Sequence, residues 1–432
     1  MTRLVVDPLT RVEGHGRVEL LLKEGRLDDV KVRLLESPRL FESLVVGRRY
    51  DEVPDLVCRI CAICSAAHKL TSLQALEKLM DIRIPTVAAA LRELLLLGGH
   101  LQSHALHLFC LILPDLCGTP DLLVLLQRKD PLAEAGIRLK AFGNRIQEIA
   151  GGRVVHPVNP VFGGVAYNPD KQLIDSLSEE LRHWQACWPD LCHQFLQLDN
   201  YPEACPVTGT ALATGLQEAF ALNGESLCYG KEQADSSDYA QLLGERSRAD
   251  SHAKDSNGRA GPFLTGALAR ASLAADRKLR FDMPAGTFGI HGNNFAQASE
   301  IGWTLQRLGQ LLETLRQADR SEPLRATLKQ ANGGVGTAAT EAPRGLLIHH
   351  YVVDEWGMVV AADIVTPTAI NQRVMAAQIM ADLANEKDHE RLCKVAERIV
   401  RAYDPCISCA VHLVRVENSL SYRPKAYADP IF

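Results

Sequence analysis

Two stretches of this chain could do metal chemistry. Arg59-Ile-Cys61-Ala-Ile-Cys64-Ser-Ala-Ala-His68 and Asp404-Pro-Cys406-Ile-Ser-Cys409-Ala-Val-His412 each set two thiols three residues apart, with an imidazole close behind. Thiolates are soft donors, and four brought together can hold one soft or borderline metal ion. Structural zinc sites usually draw their ligands from a short stretch. Here the halves lie 345 residues apart. Such remote halves suggest a metal at the centre of a large fold, although a structural zinc site with four cysteine ligands uses the same residues. A disulfide framework fits less well. The chain has 12 cysteines in 432 residues, and Cys110, Cys187 and Cys228 sit in apolar or mixed surroundings. Its start, Met1 to Asp7, becomes charged too soon for a secretory leader. Reduced, cytosolic thiols are the expectation.

Other clusters could serve such a metal. Thr10-Arg11-Val12-Glu13-Gly14-His15-Gly16 gathers a carboxylate, a cation and an imidazole just before a strand pattern. It reads either as a proton-relay carboxylate or as a solvated turn with a local ion pair. His100, His104 and His107 fall at i, i+4 and i+7, one face of a helix, where core histidines or supports of a metal site both fit. Gly333-Gly-Val-Gly336 reads as a glycine-rich loop leading to Glu341-Ala-Pro-Arg344-Gly345. The loop lacks the spacing and lysine of a phosphate-binding loop. Arg344 could face a small anion or the ligands of a metal, or pair with Glu341 at the surface. Val365-Thr366-Pro367-Thr368 reads as a helix N-terminus or a hydroxyl donor to a ligand.

The elements that must position these residues read as mainly α with small β regions, an α+β fold with a long central helix bundle. Residues 4–6 and 17–34 alternate apolar and polar about Gly25, which predicts an N-terminal β-hairpin. Helices are expected over 87–113, 133–150, 171–197, 294–319 and 371–402, with Gly151-Gly152 stopping the second. Residues of about 200–265, rich in Gly, Ser, Asp and Lys, read as a smaller irregular or β-containing lobe. Leu94 to Leu113 is the most apolar stretch, but Gly98, Gly99, His100, His104 and His107 interrupt it. A buried helix is expected there, with no membrane span. A net charge of −5 with dispersed basic residues gives no reason to expect nucleic-acid binding.

Taken together, these motifs resemble the large, catalytic subunit of nickel–iron hydrogenases. The two cysteine motifs match its end motifs. Thr10–Gly14, Gln102-Ser-His-Ala-Leu-His107, Gly151-Gly-Arg-Val-Val-His156-Pro157, Glu341–Gly345 and Val365–Thr368 also match, in the same order along the chain. The Gly261–Arg270 stretch and the length are most similar to the multisubunit NAD(P)-linked and deazaflavin-nonreducing group. The resemblance implies reversible heterolytic cleavage of H2 to protons and electrons at a nickel–iron centre. It implies that Cys61 and Cys406 are terminal nickel ligands, and that Cys64 and Cys409 bridge to an iron carrying CN and CO. Glu13 would relay protons beside Cys406. Arg344 would lie over the metals with Asp404 and Asp115 near it. Pro367 and Thr368 would face a cyanide, and His68 would support the ligands. Glu42 and His412 would hold a magnesium-type ion.

The resemblance also implies an iron–sulfur small subunit to receive the electrons, with a diaphorase or other electron-transfer subunits, since no further cysteine cluster is evident. A maturation endopeptidase and nickel chaperones would assemble the centre. The expected domain covers 1–412, and the tail 413–432 is an expected maturation peptide. The expected location is cytoplasmic. A hydrogen-sensing regulatory protein on the same scaffold and an unmatured, zinc-bound precursor are the alternatives. Two departures from the family pattern stand out. Ala62 replaces a usual glycine, and Leu108-Phe109-Cys110 replaces a common aromatic pair after His107.

Overall fold

The alternating N-terminal pattern becomes a three-stranded antiparallel sheet, β1 (Thr2–Val6), β2 (Gly16–Lys23) and β3 (Arg26–Leu34), one strand more than a hairpin. The computed structural model describes residues 2–37, 39–215, 222–247, 251–256, 258, 261–276, 288–327 and 333–411. Val18 pairs with Val32 and Leu20 with Val30, so the period-2 apolar residues share one buried face. That face packs with Val374, Met375 and Ile379.

The main core is helical. Its elements are α1 (Ser65–Leu79), α2 (Thr86–Ala105), α3 (Pro131–Gly151), α4 (Lys171–Leu196) and α5 (Gly292–Gln317). Helices α3, α4 and α5 match expected helices to within a few residues, while α1 was not expected. Helix α2 runs on through a π-helical segment, Leu106–Ile112, into a last turn that ends at Leu116. By length and composition Thr86–Leu116 could cross a membrane, but 83% of its most apolar window is buried inside the fold. Local chemistry sets the ends of α3. The Asp130 side chain accepts the Ala133 N–H, Pro131 fills the first turn, and Gly152 at φ +81° closes the last one.

Two expectations need correction. Residues 371–402 form two helices, α6 (Pro367–Leu383) and α7 (His389–Ala402), because Asp388 caps a new start by accepting the Arg391 N–H. Gly333–Gly336 is no phosphate-type loop. Gly334 opens strand β4 (Gly334–Ala342), which pairs with β5 (Gly345–Val353), which pairs with β6 (Val359–Val365), all antiparallel. In the expected lobe, short strands at Thr210–Thr214, Ser226–Tyr229, Glu232–Asp235 and Phe263–Leu264 make a second four-stranded sheet.

Helices α2 and α3 touch through glycine. A Cβ on Gly136 would lie 2.1 Å from Cβ of Phe109, and one on Gly143 would lie 2.6 Å from the backbone nitrogen of Gln102. Gly136→Ala is therefore expected to overpack this contact and to lower stability by about 1–3 kcal/mol, read by denaturant unfolding of wild type and variant.

Candidate metal centre

The fold closes the long sequence gap between the cysteine pairs. Cys64 caps the start of α1, and Cys406 caps a short helix at Ile407–Ala410. The Cys61 and Cys406 sulfurs are 3.3 Å apart, and those of Cys406 and Cys409 are 3.0 Å apart. All four sulfurs lie within 4.8 Å of one another, and all four residues are buried. Backbone contacts hold the second motif against the N-terminal Glu13 segment. Glu13 and Cys406 form an isolated parallel bridge, and the Ile407 N–H donates to the Glu13 carbonyl at 3.0 Å. Gly14, at φ +85°, allows this approach, since a Cβ there would meet Cβ of Ile407 at 2.8 Å. Arg39 clasps both cysteine motifs from outside. Its guanidinium donates to the carbonyls of Arg59 and Ile60 on one side and of Ser408 on the other.

Four soft donors in this space fit a borderline metal. Charge is the remaining problem. Burial drives the Cys406 and Cys409 thiols well up from their ordinary value. Cys64 is held well down, first by hydrogen bonds from Cys406 and Cys409 and also by the charge of Arg344. The Arg344 Nη1 donates to the Cys64 sulfur at 3.5 Å, and its Nε donates to Asp404 at 3.0 Å. Burial alone would raise the Asp404 carboxyl, but Arg344 and the nearby histidines pull it below its usual range. Asp404 also accepts the Gln297 amide at 3.0 Å, and His107 bonds the oxygen of Gln297.

The family of this chain follows from comparison with known proteins. The family model described as nickel-dependent hydrogenase matches residues 39–125 and 278–412, and a HoxL-like model matches 3–36. The alpha chain of sulfhydrogenase 2 of Pyrococcus furiosus is 35% identical, with 95% of this chain and 99% of that one covered. The chain belongs to the nickel-dependent hydrogenases. The large vhu chain of the F420-non-reducing hydrogenase of Methanocaldococcus jannaschii is 29% identical to this hydrogenase, over 88% of this chain and 98% of that one. A solved NAD+-reducing [NiFe]-hydrogenase in the H2-reduced state superposes with a TM-score of 0.84 at 29% identity, covering 95% of this chain and 100% of that one. A [NiFeSe]-hydrogenase of Desulfovibrio vulgaris Hildenborough shares the fold, with a TM-score of 0.74 at 21% identity over 95% of this chain and 100% of that one. The hydrogenase is thus a large subunit of α+β fold with a four-cysteine site. Neither the sensor nor the zinc-bound precursor is favoured.

Not every expected residue stands beside the sulfurs. Glu13 lies against Ser408, whose hydroxyl and N–H both donate to its carboxylate. Thr368 accepts the Cys406 N–H at 2.8 Å, and Pro367 occupies the first turn of α6. Arg344 is buried and pairs with Asp404, whereas Glu341 pairs with Arg270, so the expected Arg344–Glu341 surface pair does not form. Asp115 pairs with Arg11 and Arg401 rather than with Arg344. Glu42 accepts the Ile364 N–H at 2.8 Å and meets the Lys254 ammonium at 3.0 Å; that ammonium also bridges to Asp363 and Glu245. His412 lies outside the described residues. Ala62 is exposed and is not among the described residues with positive φ, so its methyl group brings no backbone strain.

The π-helical segment divides the histidine trio. His100 bonds the Glu341 carbonyl and His104 bonds Glu300, while His107 turns to Gln297 and the Arg401 carbonyl. His100, His104 and Glu300 lie close enough to hold a metal ion. However, Arg270 already grips both oxygens of Glu300 at 2.6 and 2.8 Å, and a second cation there would be repelled. Ser408, Gln297 and Arg39 were not expected at the centre. Ser408 sits inside the second motif and could have been found there; nothing near Gln297 or Arg39 in sequence marks them.

Because Cys406 and Cys409 keep their protons near neutral pH, metal capture must expel them. Zn2+ added to metal-free protein at pH 7 is expected to release about two protons per ion. Its apparent affinity should rise with pH. Calorimetry in buffers of differing ionisation enthalpy counts the protons, and zero release would mean that all four sulfurs are already thiolates.

Proposed function

We propose that this large subunit splits H2 reversibly and heterolytically at nickel and iron held by Cys61, Cys64, Cys406 and Cys409. The observation that carries this reading is the buried four-sulfur cluster in a nickel-dependent hydrogenase fold. Cys61 and Cys406 are terminal ligands in this reading, and Cys64 and Cys409 bridge to an iron carrying CN and CO. Bound there, the metals supply Lewis-acid polarisation of H2 and take up its electrons. The chain's own residues handle the proton. The Cys406 sulfur receives it, and the Glu13 carboxylate carries it outward. The bonds of Glu13 to Ser408, two residues beyond Cys406, support this path. Arg344, fixed by Asp404, keeps a positive charge against Cys64 and excludes water above the sulfurs. Pro367 and Thr368 shape the wall beside the iron ligands, His68 supports the thiolates, and Asp115 braces Arg11 and Arg401 at the edge of the site.

Electrons pass to an iron–sulfur small subunit in a heteromultimer, with a diaphorase-type or other electron-transfer subunit beyond it. The supporting observation is that, among the described residues, the four ligand cysteines form the only all-cysteine cluster. The NAD+-reducing and F420-non-reducing relatives leave the final acceptor between those classes. Glu42 and His412 hold a magnesium-type ion; the buried carboxylate oxygens near Lys254 have the hard-donor chemistry this needs. Residues 1–412 form the catalytic domain, and 413–432 are a peptide removed by an endopeptidase after nickel chaperones load the centre. The enzyme works in the cytoplasm.

Replacing Cys406 with Ser should abolish H2 turnover, measured by H2-dependent dye reduction in the complex with its native partners. Retained turnover would remove Cys406 from the ligand set. Glu13→Gln should slow H2/D+ exchange by about 100-fold or more while nickel and iron contents stay as in wild type. Exchange at the wild-type rate would place the proton path elsewhere.

A further inference from the structure

A buried hydrogen-bonded ladder stands behind the cysteine loop. Nδ1 of His68 is 3.1 Å from Nε2 of His349, Nδ1 of His349 is 2.6 Å from the Tyr351 hydroxyl, and that hydroxyl is 3.0 Å from the Ser72 hydroxyl. All four side chains are essentially without solvent exposure. Secondary structure explains the match. His68 and Ser72 are one turn apart on α1, and His349 and Tyr351 alternate onto one face of β5. Helix α1 starts directly after Cys64, and β5 starts directly after Arg344, the residue that bonds the Cys64 sulfur. The ladder therefore ties together the two elements that set the Cys64–Arg344 contact.

We propose that His349 and Tyr351 are positioning residues that fix the ring plane and the tautomer of His68. This rests on the reading of His68 as a support of the metal-bound thiolates. A neutral imidazole offers one donor and one acceptor, so every link constrains the next. Metal-bound thiolates only accept hydrogen bonds. The matching order has Ser72 donating to the Tyr351 oxygen and Tyr351 donating to Nδ1 of His349. Nε2–H of His349 then donates to Nδ1 of His68, which leaves Nε2 of His68 as the N–H side. Such outer partners orient ligands and tune metal centres, and hydrogen bonds to sulfur raise reduction potentials.

The test is a redox titration of the nickel signal by electron paramagnetic resonance in the intact complex, with metal content and thermal midpoint measured on the same samples. His68→Ala is expected to lower the potential. Tyr351→Phe and His349→Gln are expected to lower it in the same direction by a smaller amount, with nickel content unchanged. Ser72→Ala, which removes only the far hydroxyl, stands in if the tyrosine variant fails to load nickel. A shift for His68→Ala alone overturns the ladder and keeps the role of His68. No shift in any variant overturns both. Lost stability without a change in potential makes the ladder mere packing and overturns the proposal.

Discussion

Four sulfurs can sit together in a protein interior cheaply as thiols, but not as thiolates. Each deprotonation puts a charge into a medium that solvates it poorly, and the cost grows steeply with every further charge. The surroundings of Cys61, Cys64, Cys406 and Cys409 follow from that constraint. Arg344 brings one positive charge to Cys64, and Asp404 holds the guanidinium in place. Gln297 holds Asp404, and His107 holds Gln297. One guanidinium cannot offset four thiolates, so the rest of the compensation has to come from the metals themselves. The protein contributes geometry and one fixed cation, and leaves the centre short of positive charge until metal arrives.

That dependence reaches into the helical core. Gln297 lies on α5 and His107 on the continuation of α2, so the packing of these helices fixes the distance from Asp404 to Arg344. The glycine contacts between α2 and α3 leave little room for sliding. A second buried network reinforces the arrangement. Arg270 is shared by Glu300 and Glu341, and burial presses the His100 pKa down to about 3, so it stays neutral beside them. Removing the arginine would leave two uncompensated carboxylates in the interior, which is far costlier than losing a surface pair.

Much of this was legible in the sequence, for identifiable reasons. Ligand residues announce themselves by type and spacing, as Cys61-x-x-Cys64 and Cys406-x-x-Cys409 do. Long helices announce themselves by apolar periodicity and caps, as Asp130-Pro131 and Gly152 do. What stayed hidden depends on tertiary contact. Strands β4 and β5 are buried on both faces over much of their length and show no clear alternation, so Gly333–Gly336 read as a loop. A break near Asp388 was available as an N-cap signal but was masked by the continuing helical pattern on either side. The π-helical segment changes the direction of His107 without any mark in spacing. The pairing of Asp115 with Arg11 and Arg401, and of Glu341 with Arg270, could not be assigned because several cations and carboxylates compete for each partner.

The separation of the two cysteine pairs also has a consequence in time. A ribosome adding about 5–20 residues per second needs roughly 20–70 s to travel from Cys61 to Cys406. For that whole interval the nascent chain carries half a binding site, with its first two thiols open and the helices that will cover them only partly in place. Because the last ligands are nearly the last residues made, the metals enter an almost finished molecule. The order of synthesis thereby makes filling of the centre the final act of assembly.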